Sequence, residues 1–155
     1  MVKYGVSPWI WVSPASTESM IGLLPKIEDL GFDGIEVPVE DPARLEAERL
    51  REALDSTGLG ATVCGFFLSG RDPLKDGERE AAEEYARACI DTAVALQSDV
   101  VCGPLYSPVG KLVGRPPTDA EWRRVVVFLR SLGAYAGDRG VTLAIEPLNR
   151  YETYL

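Results

Sequence analysis

Short apolar runs alternate along this chain with longer stretches in which every third or fourth position is apolar. The runs read as buried strands over residues 4–7, 33–39, 61–67, 99–103 and 141–146. The intervening stretches read as amphipathic helices. Strand and helix in strict alternation predict a parallel sheet joined by right-handed crossovers.

Helix ends are marked by capping residues. Asp41 is a natural N-cap for the second helix, with Pro42 in its first turn, Gly58 as its stop and Leu45, Leu50, Ala53 and Leu54 as its apolar face. The third helix stripes Ala82, Tyr85, Ala86, Cys89, Ile90, Ala93 and Val94 along one side. Its polar face and that of the second helix are read as solvated surface, supported by pairs such as Glu48 with Arg51. Thr118 and Glu121 have capping-box spacing ahead of the fourth helix, whose Trp122, Val125, Val126 and Leu129 are expected to face the core. In the first helix Pro25 falls among apolar positions and is expected to kink the helix or delay its start.

The longest connections, residues 70–77 and 107–117, both follow strands. In a (β/α) barrel those loops surround the active site, and turns that follow helices lie at the opposite end. A closed eight-stranded barrel takes about 250 residues. A doubly wound sheet would carry a glycine-rich phosphate loop after an early strand, whereas Gly58-Leu-Gly60 precedes one and reads as a helix stop. The expected fold is therefore α/β: a partial TIM (β/α)8 barrel of about five parallel strands and four helices, the amino-terminal half or more of a larger barrel. Its outermost strands would have unpaired edges that invite association.

Composition narrows the partners. With 155 residues, 46% hydrophobic and 26% charged, the chain suits one soluble domain, and its net charge of −8 argues against nucleic-acid binding through a basic face. No run is long enough to span a membrane, and the start leads directly into a strand, so a cytoplasmic location is expected. Cys64, Cys89 and Cys102 read as free buried thiols. With no histidine in the sequence, any histidine in a metal site or acid/base pair must come from elsewhere.

The candidate chemistry lies near the end of the chain. Val141, Leu143 and Ile145 form a buried strand that Pro147 stops, which leaves Glu146 at the strand's carboxyl end, with Glu152 six positions on in a polar loop. Two acids there could face one ligand. The alternative is a structural pairing of Glu146 with Arg150. Asp33 opens its strand at the wrong end of a barrel for chemistry, and Glu36 reads as a structural or supporting acid.

Three segments carry a family resemblance: Gly31-Phe-Asp-Gly-Ile-Glu-Val-Pro38, Val101-Cys-Gly-Pro-Leu-Tyr-Ser107 and Ile145-Glu-Pro-Leu-Asn-Arg-Tyr-Glu152. Together they resemble the D-tagatose and D-allulose (ketose) 3-epimerases of the xylose-isomerase-like TIM barrel superfamily. The match covers residues 1–155, as the amino-terminal portion of a single such domain. It implies a divalent cation, manganese, cobalt or magnesium, held by two glutamates, an aspartate and a histidine. Glu146 matches the first glutamate, as metal ligand and as one acid/base of the proton transfer. Glu152 matches a residue that binds sugar hydroxyls, and Trp11, Pro104, Leu105 and Tyr106 match positions lining the sugar pocket. Ser7 and Val109 depart from larger residues found in some members.

The implied reaction is removal of a proton beside the ketone and its return from the opposite face, through a metal-stabilised cis-enediolate, on a free ketohexose. The resemblance supplies no second catalytic glutamate, aspartate or histidine within this chain, so the chain alone is expected to be inactive and its parent a homo-oligomer. Other superfamily activities, hydroxypyruvate isomerase or inosose dehydratase, stay open. So does a non-catalytic half-barrel that assembles with a second chain.

Overall fold

A computed structural model describes residues 2–155. Five strands, β1 (Gly5–Val6), β2 (Gly34–Pro38), β3 (Gly60–Cys64), β4 (Val100–Gly103) and β5 (Thr142–Ile145), form one parallel sheet in the order of the sequence. Between them run α1 (Thr17–Asp29), α2 (Ala47–Asp55), α3 (Arg79–Ala95) and α4 (Asp119–Gly137). Five strands and four helices appear in the expected order, with shifted bounds: β3 ends at Cys64, short of the expected 67, and α2 starts at Ala47 and not at Pro42. β1 and β5 are the sheet edges.

Side chains alternate across a strand, so each strand divides into two sets. Ile35, Val37, Val63 and Val101 are at most 1% exposed and face the helices. There they meet Met20, Leu24 and Ile27 of α1, Leu50 and Leu54 of α2, Cys89 and Ile90 of α3, and Phe128 and Leu132 of α4. The other set, Glu36, Thr62, Cys64, Cys102 and Ala144, lies on the concave face. Such a layered core with a more polar inner wall is the geometry of a barrel arc.

Local chemistry explains several departures from the expected elements. Pro25 sits inside α1 without delaying it, because Ser16 and Ser19 form a capping box that fixes the start at Thr17. An interior proline costs roughly 3 kcal/mol. Burial of Met20, Leu24 and Ile27 offsets that at about 1.5–3 kcal/mol each. Asp41 caps a separate 3-10 turn, Pro42–Arg44, by accepting from Ala43 N at 3.1 Å. The chain then extends at Leu45, and Glu46 N donates to Thr17 Oγ1 at 3.0 Å, which ties the start of α2 to α1. Arg51 pairs with Asp55 at 2.7 Å, not with Glu48, and also donates to the Leu96 carbonyl at 2.9 Å.

Thr118 and Glu121 make the expected capping box. Trp122 does not reach the core. It belongs to the first turn of α4, one turn ahead of the buried stripe Val125, Phe128, Leu132 and Ala136, and is 56% exposed. Val94 is likewise exposed. Trp122→Gln is accordingly expected to change the stability of the chain by less than about 0.5 kcal/mol. Phe128→Ala, at a fully enclosed site, should cost about 3–5 kcal/mol, and urea unfolding of the two variants measures the contrast.

Candidate active site

The carboxyl ends of the strands carry the chemistry-bearing side chains. Glu146 N donates to Gly103 O at 3.1 Å, which extends the β4–β5 ladder by one rung and keeps Glu146 in step with Ala144 on the concave face. Its side chain is exposed, and it joins no ion pair among the described residues. Arg150, the competing structural partner, turns to Tyr151 instead, donating to its hydroxyl at 3.2 Å with the guanidinium 5.2 Å from the ring centroid. The Glu146 carboxylate is thus left to the mouth of the arc.

The loop that follows is fastened to the loop after β4. Leu148 N donates to the Tyr106 hydroxyl at 2.8 Å, Gly110 N to Glu152 O at 2.7 Å, and the Thr153 hydroxyl to Ser107 Oγ at 3.0 Å. Tyr154 N donates to Lys111 O at 3.1 Å, and its hydroxyl donates to Glu121 at 3.1 Å. Glu152 is half-buried and accepts from the Asn149 side-chain amide, so one of its oxygens is already engaged. Farther out, Lys111 pairs with buried Asp72 at 2.5 Å and joins the loops after β3 and β4.

Of the expected pocket residues, Leu105 is 0% exposed and belongs to the core cluster. Its side chain has no surface to offer a ligand. Tyr106, 7% exposed, acts as a brace for the Glu146 loop. Tyr106→Phe removes one hydrogen bond, worth about 0.5–1.5 kcal/mol, and should raise amide exchange selectively over residues 146–153. Uniform protection across that loop in the variant would refute the brace. Trp11 is half-buried against the core with the Lys26 ammonium 4.7 Å from its ring centroid.

A second set was not anticipated. Trp9 is 38% exposed, and its indole N–H donates to Glu40 Oε1 at 2.9 Å. Ala15 N donates to the same oxygen at 2.8 Å. The Trp9 and Phe66 rings meet edge to face at 5.3 Å. The signal available in the sequence is a period of two, Glu36, Pro38, Glu40 along β2 and Thr62, Cys64, Phe66 along β3, carried one step past each strand. Beneath them, Cys102 Sγ donates to Glu36 Oε2 at 3.3 Å. A hydrogen bond with Cys64, burial and the Glu36 charge push the Cys102 thiol well above its ordinary pKa, so it stays a protonated donor. Ser7 Oγ is buried at the end of β1 without a partner among the described residues. Asp33, at the amino end, accepts from Tyr4 N at 2.8 Å and stands away from all of this.

A carboxylate at a strand mouth with no ion-pair partner among the described residues suits a hard divalent cation as one oxygen donor, or a proton-transfer base. Among the described residues no group of three or more histidine, cysteine, aspartate or glutamate side chains is arranged to hold a metal. Glu146 therefore fits as one ligand of such a site.

The family model described as "Xylose isomerase-like TIM barrel" matches residues 24–155. The chain is 26% identical to the ketose 3-epimerase of Arthrobacter globiformis, over 98% of this chain and 53% of that protein. It is 27% identical to an L-ribulose 3-epimerase of Mesorhizobium japonicum, over 100% of this chain and 52% of that one. The crystal structure of a Methylomonas sp. D-allulose 3-epimerase in complex with D-allulose superposes with a TM-score of 0.91 at 24% identity, over 99% of this chain and 54% of that one, and so shares the fold. The chain spans about half the length of the curated relatives it matches.

Proposed function

The chain belongs to the xylose isomerase-like TIM barrel family, and we propose that it carries the amino-terminal wall of a ketose 3-epimerase site whose first acid/base and first metal ligand is Glu146. One observation carries this reading: Glu146 stands on the concave face at a strand's carboxyl end, with neither Arg150 nor any other ion-pair partner among the described residues engaging it. The similarity to ketose and L-ribulose 3-epimerases supports it.

In this reading residues 1–155 are one portion of a single barrel domain, and the substrate is a free ketose. Glu146 takes or returns the proton on one face of the carbon beside the carbonyl. The opposite face needs a second acid/base, which inversion requires and which lies outside these residues. A divalent cation, of which Glu146 would be one ligand, supplies charge stabilisation for the oxygens of the sugar when bound. Glu152 keeps one oxygen free of Asn149 for a sugar hydroxyl. Tyr106 holds the loop that carries both acids. No helix among the described residues is long and apolar enough to cross a membrane, which fits a sugar enzyme of the cytoplasm.

The test joins residues 1–155 to the remaining strands of the Methylomonas D-allulose 3-epimerase, chosen for its shared backbone. The completed barrel should exchange the C3 proton of a ketose with solvent, and Glu146→Gln should abolish that exchange. A folded completed barrel that leaves D-fructose, D-tagatose and L-ribulose untouched would sink the reading.

A further inference from the structure

An indole is an expensive group to leave partly in water at the rim of a sheet, and an anchored one is ordered for contact. Trp9 is 38% exposed, yet it is held from two sides. Its N–H is fixed at 2.9 Å on Glu40 Oε1, and that oxygen is itself fixed by Ala15 N at 2.8 Å. Phe66 meets the ring at 5.3 Å and 66°. Phe66 is in turn placed by its own N–H, which donates at 3.1 Å to the Tyr85 hydroxyl. These groups meet at the carboxyl ends of β1 to β3, with Tyr85 reaching them from α3, across the arc from Glu146 just past β5.

We infer that Trp9 is a specificity wall of this site, offering its aromatic face to the C–H face of the sugar on the side away from Glu146, with Glu40 as its positioning residue. The inference rests on the ketose reading above. Polarised C–H groups of a sugar meet the negative face of an aromatic ring favourably, and a ring pinned at its N–H loses little freedom on contact. The carboxylate holds the ring through an acceptor oxygen, so an amide oxygen at the same position should serve equally well.

Saturation-transfer NMR on the 155-residue chain with D-fructose as the probe tests the contact. Transfer to the sugar should be present in the intact chain, lost in Trp9→Ala and Glu40→Ala, and retained in Glu40→Gln. Trp9→Leu keeps bulk against Phe66 and gives the same readout if Trp9→Ala does not fold. Transfer that is absent from the intact chain, or that survives removal of the indole, overturns the inference. In the completed barrel Trp9→Ala should raise KM about tenfold, the factor that 1.4 kcal/mol gives, with kcat within about twofold. An active barrel whose KM ignores Trp9 refutes the wall and spares the epimerase reading. An inactive barrel with Trp9-dependent transfer refutes that reading and leaves a sugar contact.

Discussion

Glu146→Gln in the completed barrel is expected to lower kcat/KM for a ketose by roughly 10³-fold, within the range for loss of a general acid/base group. The loss should fall on kcat, because the amide preserves shape and some polar contact with bound sugar but neither removes a proton nor binds a cation as a carboxylate does. The same substitution should leave stability within about 0.5 kcal/mol of the parent, since the carboxylate is exposed and joins no ion pair among the described residues. Solvent-deuterium incorporation at C3 and urea unfolding, measured on one preparation, separate the two effects. Activity reduced by less than about tenfold would assign the proton transfer to another group.

Gly103→Ala should be the most damaging small substitution in the fold, with a cost of about 4 kcal/mol or more. Gly103 has a φ of +120°, which a residue with a Cβ adopts only under strain, and a Cβ there would lie 2.0 Å from the carbonyl oxygen of Gly65. Relief is blocked on the far side. Gly65 lies against Cys89 Sγ and Leu105, which a Cβ on it would meet at 3.0 and 3.2 Å. Its own N–H is bonded to Cys102 O at 2.9 Å. Because Gly103 O accepts from Glu146 N, distortion at this point also shifts the proposed acid/base. Urea unfolding of Gly103→Ala beside Gly133→Ala, where an added Cβ would meet nothing within 4 Å beyond the helix's own backbone, gives the comparison. A cost below about 1 kcal/mol at Gly103 would mean the two strand ends part easily.

Gly103 also explains what could be read from the sequence and what could not. The strands were legible because they are short apolar runs bounded by polar and glycine-rich segments, although the edge strand β5 proves largely exposed, with Ile145 at 36%, and the helices because their stripes and caps, such as Thr118 with Glu121, are local. The position of Glu146 just past a strand end was legible because Pro147 marks that end. Past Gly103 the backbone leaves the ordinary strand conformation, so alternation no longer tells which way the following residues point. That is why Leu105 and Tyr106, expected at the pocket, lie in the core and behind a loop. Trp9 and Glu40, 31 positions apart, meet only through the pairing of β1 with β2, which neither segment reveals alone. Trp122 was misread because its spacing fits the apolar stripe while its turn precedes the buried part.

One phenol on α3 bridges two strand ends: the Tyr85 hydroxyl donates to Val39 O at 2.6 Å and accepts from Phe66 N at 3.1 Å. That single oxygen acts as a gauge block, setting from the outer layer how far apart the tips of β2 and β3 stand. Any drift of α3 along its axis is therefore transmitted to the lip that carries Phe66, so the shape of the proposed site can be retuned by residues that do not line it.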